Sequence, residues 1–232
     1  MGEQRMRKLG TSIVAVVVLS VVGAVRAEDQ KAAKALFNGK NLDGWSYHLV
    51  DPNVKMEDVW RVEDGVLICK GAPLGYLVTK EAFKDFCLVV EWRWPAGKEA
   101  GNSGVLLRIS GEPIGFMPRC VEAQLKHGSA GDIWAFRGFS LTGPADRLRK
   151  VENHKELGTF VGVGKTKNAE KEQGEWNRYV IKLVGDKMTV EVNGERLSEA
   201  SGLDATAGPI GLQSEGGEIH FRKVELIPLE TK

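Results

Sequence analysis

Three segments of the sequence alternate between aliphatic and polar side chains at the period of two that is typical of β-strands. Their polar faces carry planar hydrogen-bonding groups: Asn102 and Arg108 in the first segment, Glu122 and Gln124 in the second, and Gln213 and Glu215 in the third. Such groups suit the recognition of hydroxyl and carbonyl oxygens. One polar face alone can simply be solvated. The three together, with six tryptophans as flat apolar surfaces, indicate a sheet that faces a saccharide.

The turn after the second segment adds an imidazole and a carboxylate. His127 and Asp132 lie five residues apart with two glycines between them. Such a loop can hold a general base, a pair of metal ligands or only a hairpin turn, and the sequence leaves these three open. His220 falls among ordinary alternating strand residues, which favours a structural role. His48 and His154 have no informative context.

Several catalytic motifs are absent from the sequence. No glycine-rich phosphate loop precedes a helix, so we expect no nucleotide cofactor. The sequence also lacks a Gly-x-Ser-x-Gly elbow and a His-Glu-x-x-His helix. Retaining glycosidases need two carboxylates about 5 Å apart, and those with a sandwich fold place them on alternate positions of one strand. Here Glu122 is followed by Gln124 and Lys126, so the strand lacks the second carboxylate that direct displacement at an unactivated glycoside needs.

Composition and charge exclude further classes of protein. The chain has 232 residues, of which 42% are hydrophobic and 27% charged, as in an ordinary globular protein. Its 32 Lys and Arg against 31 Asp and Glu give a net charge of +1, which offers no strong positive field for nucleic acid or an anionic membrane. Cys69, Cys87 and Cys120 permit at most one internal disulfide and match no zinc motif. We interpret them as buried thiols.

Residues 1–27 have the layout of a secretory signal peptide. Basic residues at Arg5, Arg7 and Lys8 precede an apolar run over residues 13–25, and small residues end the segment at Ala27. The run of 13 residues is shorter than the roughly 20 that a membrane-spanning helix needs, which favours a cleaved signal over an uncleaved anchor. We therefore expect a mature domain over residues 28–232, periplasmic or secreted, with no membrane span.

The remaining pattern predicts an all-β domain. Beyond one or two helical turns over residues 30–36, short alternating runs such as Phe86–Trp94, Arg178–Val184 and Met188–Val192 are separated by turn pairs such as Asn193-Gly194. Frequent short strands of this kind indicate a β-sandwich or barrel.

Two segments depart from the regular alternation. The last run, residues 218–227, changes phase, which predicts a β-bulge near Arg222-Lys223. Residues 143–175 are polar and rich in Lys and Glu without alternation. They are predicted to form a long surface excursion, either functional or mobile.

The chain resembles the 3-keto-disaccharide hydrolase family over about residues 35–229. The segments that carry the resemblance are Leu36–Trp45, Gly101–Arg108, Val121–Leu125, Gly174–Asn177, Val192–Gly194 and Gly211–Gly216. It implies a concanavalin-like jelly roll of two antiparallel sheets. The chain departs from many members at Lys126-His127, where they have Leu-Asp, and at Glu215, where they have His. These departures indicate a sub-branch whose activity can differ from that of the typical member.

The resemblance also implies a mechanism that this residue inventory can support. A ketone at C3 of a glycoside acidifies the proton at C2, so one base can drive elimination of the C1 substituent, and water then adds back. The residues assigned on this basis are Glu122 or His127 as the base, Arg108 at the enolate oxygen, Glu215 at the leaving group or water, and Asn102, Gln124 and Gln213 at hydroxyls.

Alternatives remain at this stage. A divalent cation bound by His127, Asp132 and Glu122 could replace or reinforce Arg108. A separate oxidoreductase would install the ketone, so the chain itself needs no nicotinamide site. The rival functions are a non-catalytic saccharide-binding module on the same fold and a structural exported domain whose sheet contacts another protein. The enzymatic reading requires Arg108, Glu122 and Glu215 to converge on one hollow.

Overall fold

A computed structural model describes residues 32–229 of the chain. The predicted signal peptide and its cleavage site lie outside these residues. Within the described part of the chain, none of the helical structure is long and apolar enough to cross a membrane. The predicted helical turns before residue 36 are replaced, at Lys34–Ala35, by a short strand.

Sixteen strands and one short helix make up the regular structure of residues 32–229. In chain order they are β1 (Lys34–Ala35), β2 (Trp45–Leu49), α1 (Met56–Val59), β3 (Trp60–Glu63), β4 (Val66–Cys69), β5 (Gly75–Thr79), β6 (Phe86–Arg93), β7 (Gly104–Ile114), β8 (Met117–Gln124), β9 (Ile133–Phe136), β10 (Leu148–His154), β11 (Gly158–Val163), β12 (Asn177–Val184), β13 (Lys187–Val192), β14 (Glu195–Ala200), β15 (Gly211–Ser214) and β16 (Ile219–Pro228).

The strands form two antiparallel sheets, which confirms the all-β jelly-roll class. The first sheet has the order β14-β13-β12-β6-β16-β4-β3, with β1 paired to β16, and the second has the order β10-β11-β9-β8-β7-β15-β5-β2. Neighbours such as β7 and β15 are far apart in sequence, so long-range pairing brings the three polar segments of the sequence onto adjacent strands.

A hydrophobic core between the sheets is built from the alternating runs. On β6 the side chains of Phe86, Leu88, Val90 and Trp92 are all fully buried, as the sequence predicts. The pairing of β16 with β6 shifts register between Phe221 and Lys223, which confirms the predicted β-bulge. Because of that extra residue, Ile219 and Phe221 before the bulge and Val224 and Leu226 after it are all buried in the core, although their positions differ in parity.

The predicted surface excursion over residues 143–175 is wrong in its central part. Residues 148–163 contain the antiparallel pair β10 and β11, which extends the second sheet at its edge. The strand β10 is mostly exposed. An edge strand can carry charged side chains on both faces because it has no neighbour on one side, and such a strand does not show apolar alternation.

The cysteines are free thiols, as the sequence interpretation favours. Cys69 and Cys120 are buried, and Cys87 is partly buried. Burial raises the pKa of the Cys69 thiol to about 11, so this group stays protonated and unreactive at neutral pH.

Candidate functional site

A cavity of about 440 Å³ opens on the face of the second sheet that points away from the core. Side chains of β7 and β8 alternate between the two faces: Val105, Leu107, Val121 and Ala123 enter the core, whereas Glu122 lines the cavity. The loop before β7, the turn after β8, the segment after β15 and the β10–β11 hairpin supply further lining. We refer to this cavity as the cleft.

Glu122 lies at the bottom of the cleft, and a glycine on the next strand makes room for it. A Cβ atom added to Gly104 would lie 1.8 Å from Glu122 Oε1, so any larger residue at position 104 would displace the carboxyl. The Glu122 residue is 1% exposed, and neither carboxyl oxygen has a hydrogen-bond partner in the described protein. Desolvation, together with repulsion from Glu215, raises the pKa of Glu122 well above its ordinary value. Burial therefore favours the neutral form of the Glu122 carboxyl group.

Glu215 follows β15 and lines the same cleft. Desolvation raises the pKa of Glu215 to about 7, against the opposing influence of Lys126 and of the amides of Asn102 and Gln213. Three carboxyl groups line the cleft, those of Glu122, Asp132 and Glu215. Burial favours the protonated form of Glu122, whereas Glu215 titrates near neutrality. Pairs of carboxyl groups whose pKa values are separated by their surroundings can divide the roles of acid and base.

Two of the three amide side chains predicted to bind hydroxyls line the cleft, those of Asn102 and Gln124. Gln213 is not among the lining residues; it is fully buried, and its amide faces Glu215. Neither polar atom of this amide, nor Asn102 Oδ1, has a partner at ordinary hydrogen-bond geometry among the described residues. Gln124 Oε1 accepts a hydrogen bond of 2.8 Å from the Lys126 N–H, which shapes the following turn. Buried polar atoms without partners are costly in a folded protein, and a polar ligand would satisfy them.

His127 lies beside the cleft in an adjoining cavity. That cavity shares Asn102, Lys126 and Glu215 with the cleft. The His127 Nδ1 atom is 3.1 Å from Glu170 Oε1, and Glu170 Oε2 accepts a hydrogen bond from the Gly128 N–H at 2.7 Å. The imidazole is half-exposed and is held by a carboxylate of the loop that follows β11.

Two of the three candidate metal ligands, His127 and Asp132, contact other residues, although Asp132 also lines the cleft. Asp132 Oδ1 accepts the Lys165 N–H at 2.8 Å, whereas His127 contacts Glu170. Across residues 32–229 no group of three or more His, Cys, Asp or Glu side chains is assembled in a form that could hold a metal ion. The donor set of His127, Asp132 and Glu122 therefore does not fit a divalent cation.

Arg108 does not line the cleft, so the prediction that it converges with Glu122 and Glu215 is wrong. Of these three residues, Glu122 and Glu215 line the cleft. The pairing of β7 with β8 loses its register between Leu107 and Ser110, and Arg108 has a positive φ of 51°. The strict alternation on which the prediction depended ends at that point. The guanidinium is completely buried and donates to the carbonyl oxygens of Lys84, Gly185 and Asp204 at 2.7–3.2 Å, and to Asp85 Oδ1 at 3.3 Å.

Sequence reasoning missed the other wall of the cleft. It is formed by Met117, Trp134, Phe136, Arg149, Val151, His154, Leu157 and Phe160. Most of these residues belong to β9, β10 and β11, and the last two strands were not predicted. The alternation of Trp134 and Phe136 with Ile133 and Ala135 is a strand signal, but four residues are too few to reveal which face meets a ligand.

The fold and the cleft together define a jelly-roll β-sandwich with a polar, ligand-sized depression on one sheet. The sequence profile of the 3-keto-alpha-glucoside-1,2-lyase-like domain family matches residues 32–227, and the chain belongs to this family. The predicted resemblance is therefore confirmed, and membership of the family makes the chain a carbohydrate-active protein. A search among curated proteins finds no relative that matches the chain.

Solved structures with the same fold include three from bacteria. A Parabacteroides distasonis protein provisionally described as a glycosyl hydrolase has a TM-score of 0.61 and 21% identity, over 85% of this chain and 94% of its own. The laminarinase catalytic domain of Thermotoga maritima has a TM-score of 0.53 and 14% identity, over 88% and 99%. The carbohydrate-binding module CBM66 of Bacillus subtilis has a TM-score of 0.53 and 11% identity, over 78% and 94%. At these identities the likeness concerns the fold alone.

Proposed function

We propose that this protein cleaves 3-keto-glycosides by removing the proton at C2, eliminating the C1 substituent and adding water. The observation that carries the proposal is the pair of carboxyl groups in the cleft. Glu122 is buried with no partner for either oxygen, and Glu215 has a pKa of about 7. A ketone substrate needs one base for its C–H bond and one donor for its oxygen, and this pair can supply both.

Glu215 is the base in this proposal. Its carboxylate form is available near neutral pH, and its raised pKa makes it a stronger base than an ordinary glutamate. It removes the C2 proton, and the electron pair of that C–H bond moves to form the enolate of the C3 ketone. This assignment differs from the sequence-based one, in which Glu122 or His127 is the base, because burial favours the protonated form of Glu122 and His127 lies in the adjoining cavity.

Glu122 is the donor to the ketone oxygen. A neutral carboxylic acid held in an apolar site can donate a strong hydrogen bond to an oxygen that gains negative charge. Because its own oxygens have no partner in the described protein, it exchanges no existing protein hydrogen bond for the one to the substrate. This role replaces the enolate stabilisation expected of Arg108, whose donors are occupied elsewhere.

The remaining steps balance without a further reagent. The enolate pair forms the C1–C2 double bond as the C1–O bond breaks, and the departing oxygen takes the proton that Glu215 removed. Water then adds across the C1–C2 bond of the resulting enone, with its hydroxyl at C1 and a proton at C2. The net change is hydrolysis of the glycoside, while the amides of Asn102, Gln124 and Gln213 bind hydroxyls of the sugar.

The substrate implies an earlier oxidation, since free glycosides carry a hydroxyl at C3. We propose that a separate sugar 3-oxidoreductase supplies the ketone. We also propose that the protein acts in the periplasm or outside the cell after cleavage following Ala27. Sequencing the N-terminus of the protein recovered from the native host tests the export proposal, and a mature chain that still begins at residue 1 would contradict it.

The proposed activity is tested by incubating the purified protein with methyl 3-keto-glucoside and, separately, with methyl glucoside. We expect methanol to be released from the ketone alone, with or without a chelator. Glu215→Gln should reduce the rate by about a thousandfold or more, since it removes the base. Glu63→Gln, on the exposed surface of the other sheet, is the matched control and should retain full activity. Absence of methanol from the ketone would overturn the proposal.

A second candidate function is a saccharide-binding module without catalysis. The unpartnered amide atoms of Asn102 and Gln213 could bind hydroxyls with no chemistry, and a carbohydrate-binding module shares the fold. If the protein is a binding module, it should bind saccharides without turnover, and Glu215→Gln should change the affinity little. If it is an enzyme, the wild type should turn over the substrate, and Glu215→Gln should abolish turnover while binding persists.

A further inference from the structure

The cleft has a polar end and an apolar end, and the register of the strands shows how they are arranged. At one end lie Asn102, Gln124, Lys126 and Glu215. Glu122 pairs with Trp134, and Trp134 pairs with Gly162, so these three residues form a row across β8, β9 and β11. Two residues further along the strands, on the same face, Cys120 pairs with Phe136. Beyond the reacting carboxyls the cleft therefore turns from polar to apolar.

Trp134 forms the floor at the boundary between the two ends. A Cβ atom added to Gly162 would lie 2.2 Å from Trp134 Cε3, so the indole lies directly against the backbone of the neighbouring strand. The indole also lines the cleft, so it presents a flat apolar surface there. Flat aromatic surfaces of this kind stack against planar or apolar ligand groups.

An aromatic cluster continues from Trp134 to the apolar end. The ring of Phe160 lies 5.4 Å from the Trp134 ring, 5.0 Å from the Phe136 ring and 5.9 Å from the His154 ring. Met117, Val151 and Leu157 complete this wall. The Nδ1 atom of His154 accepts the N–H groups of Glu156 and Leu157, so the hydrogen-bonding groups that this wall offers are the Nε2–H of His154 and the guanidinium of Arg149.

Arg137 holds this wall in place from behind. Its Nη2 atom donates at 2.8 Å to the carbonyl oxygens of Ile114 and Glu156. These carbonyls belong to the tips of the β7–β8 and β10–β11 hairpins, which are thereby tied together. A wall that is already fixed in position costs less ordering on binding than a mobile one.

We propose that the leaving group of the substrate is an apolar, planar aglycone that stacks on Trp134 and packs against Phe160, whose ring is tilted by 72° from the indole, with the 3-keto sugar at the polar end. This inference rests on the proposed function and names its substrate class. A second sugar in the leaving-group position would lose hydrogen bonds to water that the apolar wall does not replace. An aromatic ring loses none and buries apolar surface instead.

The test compares benzyl and methyl 3-keto-glucosides as substrates. Both release a simple primary alcohol, so the comparison isolates contact with the aglycone from leaving-group chemistry. We expect kcat/KM to be about tenfold to a hundredfold higher for the benzyl compound, as burial of one phenyl ring predicts. Phe160→Ala should remove most of this preference, that is, lower the benzyl-to-methyl ratio of kcat/KM towards one, whereas Phe160→Leu should keep part of it. Equal kcat/KM for the two substrates, or a preference unchanged in Phe160→Ala, would overturn the proposal.

A binding measurement separates this inference from the proposed function. Benzyl glucoside and methyl glucoside, which lack the ketone and are not turned over in the proposed mechanism, are titrated by calorimetry into the wild-type protein and into Phe160→Ala. We expect a Kd about tenfold or more lower for benzyl glucoside, and the difference should vanish in the variant. If neither ketone is cleaved but this difference is present, the proposed function fails and the apolar subsite stands. If methyl 3-keto-glucoside is cleaved and the difference in Kd is absent, the proposed function stands and the apolar subsite is overturned.

Discussion

Arg108 and Glu122 are both buried charged residues of the second sheet, yet their surroundings are opposite. The Arg108 guanidinium is fully buried and donates to three backbone carbonyls and to Asp85. The Glu122 carboxyl is 1% exposed and has no partner for either oxygen in the described protein. The first arrangement satisfies a buried charge, whereas the second leaves polar atoms available at the bottom of a cleft.

The difference shows that burial of a charged side chain does not by itself identify its role. A buried ion whose donors are all satisfied connects parts of the fold, and removing it leaves several partners unsatisfied. A buried polar group without partners costs stability in the free protein, and a ligand that satisfies it recovers that cost. Arg108 thus belongs to the architecture, and Glu122 belongs to the site.

The largest expected effect is on the architecture. Arg108→Met should lower the free energy of unfolding by about 3–5 kcal/mol, because it leaves the carbonyl oxygens of Lys84, Gly185 and Asp204 without their buried donor and removes the positive charge beside Asp85. Denaturant titration measures this loss. Arg119→Met is a suitable control, since Arg119 is partly exposed and its ion pair with Asp204 should be worth about 1 kcal/mol or less. A loss of under about 1 kcal/mol in Arg108→Met would contradict the structural role.

Substitution of Glu122, by contrast, should leave the stability intact and reduce the activity. Glu122→Leu removes the donor to the enolate oxygen and should reduce kcat on methyl 3-keto-glucoside by about a hundredfold to a thousandfold. The same change removes two unsatisfied buried oxygens, so the free energy of unfolding should stay the same or rise. Glu122→Gln keeps a donor and should retain more activity than Glu122→Leu. A destabilised Glu122→Leu protein with full activity per folded molecule would contradict the assignment of Glu122 to the site and indicate a structural role instead.

A smaller effect is expected in the pH dependence of stability. The pKa of Glu215 is raised from 4.5 to about 7, so the folded state favours the protonated form. Its contribution to stability is fully present below about pH 4.5 and is lost as the pH rises through about 7. We expect this loss to be about 3 kcal/mol in the wild type. Glu215→Gln should remove that part of the slope in unfolding experiments between pH 4.5 and 8, and an unchanged slope would contradict the assignment.

The smallest effect is expected at His127. The imidazole is half-exposed in the adjoining cavity and contacts Glu170, so His127→Asn should change kcat by less than about threefold. Steady-state kinetics on methyl 3-keto-glucoside measures this change. A loss as large as that of Glu215→Gln would return the base to His127, one of the two candidates that the sequence favours.

The sequence predicts much of the fold because local periodicity reports which face of a strand is buried. The alternation in β6 and the phase change in β16 both predict observed features. The edge pair β10 and β11 was missed because exposed strands carry no such alternation. The same limit applies at Arg108, where a positive φ and a register shift end the alternation.

The candidate site was predictable only in part. Glu122, Asn102, Gln124 and Glu215 line the cleft because each points to the outer face of a regular strand or its extension. Gln213 has the same alternation but is fully buried. Which carboxyl group keeps its proton depends on burial and neighbours in three dimensions. The apolar wall depends on long-range pairing that a single sequence does not reveal.

The fate of the C2 hydrogen is the most direct test of the proposed chemistry. Methyl 3-keto-glucoside is cleaved by the protein in D2O, and the free sugar is examined immediately by mass spectrometry and NMR, with preformed product incubated in parallel as the control for spontaneous exchange. Elimination followed by addition of water predicts one deuterium at C2 in the enzymatic product, beyond the amount in the control. A product that keeps its original hydrogen at C2 would contradict the role of Glu215 as the base at this carbon.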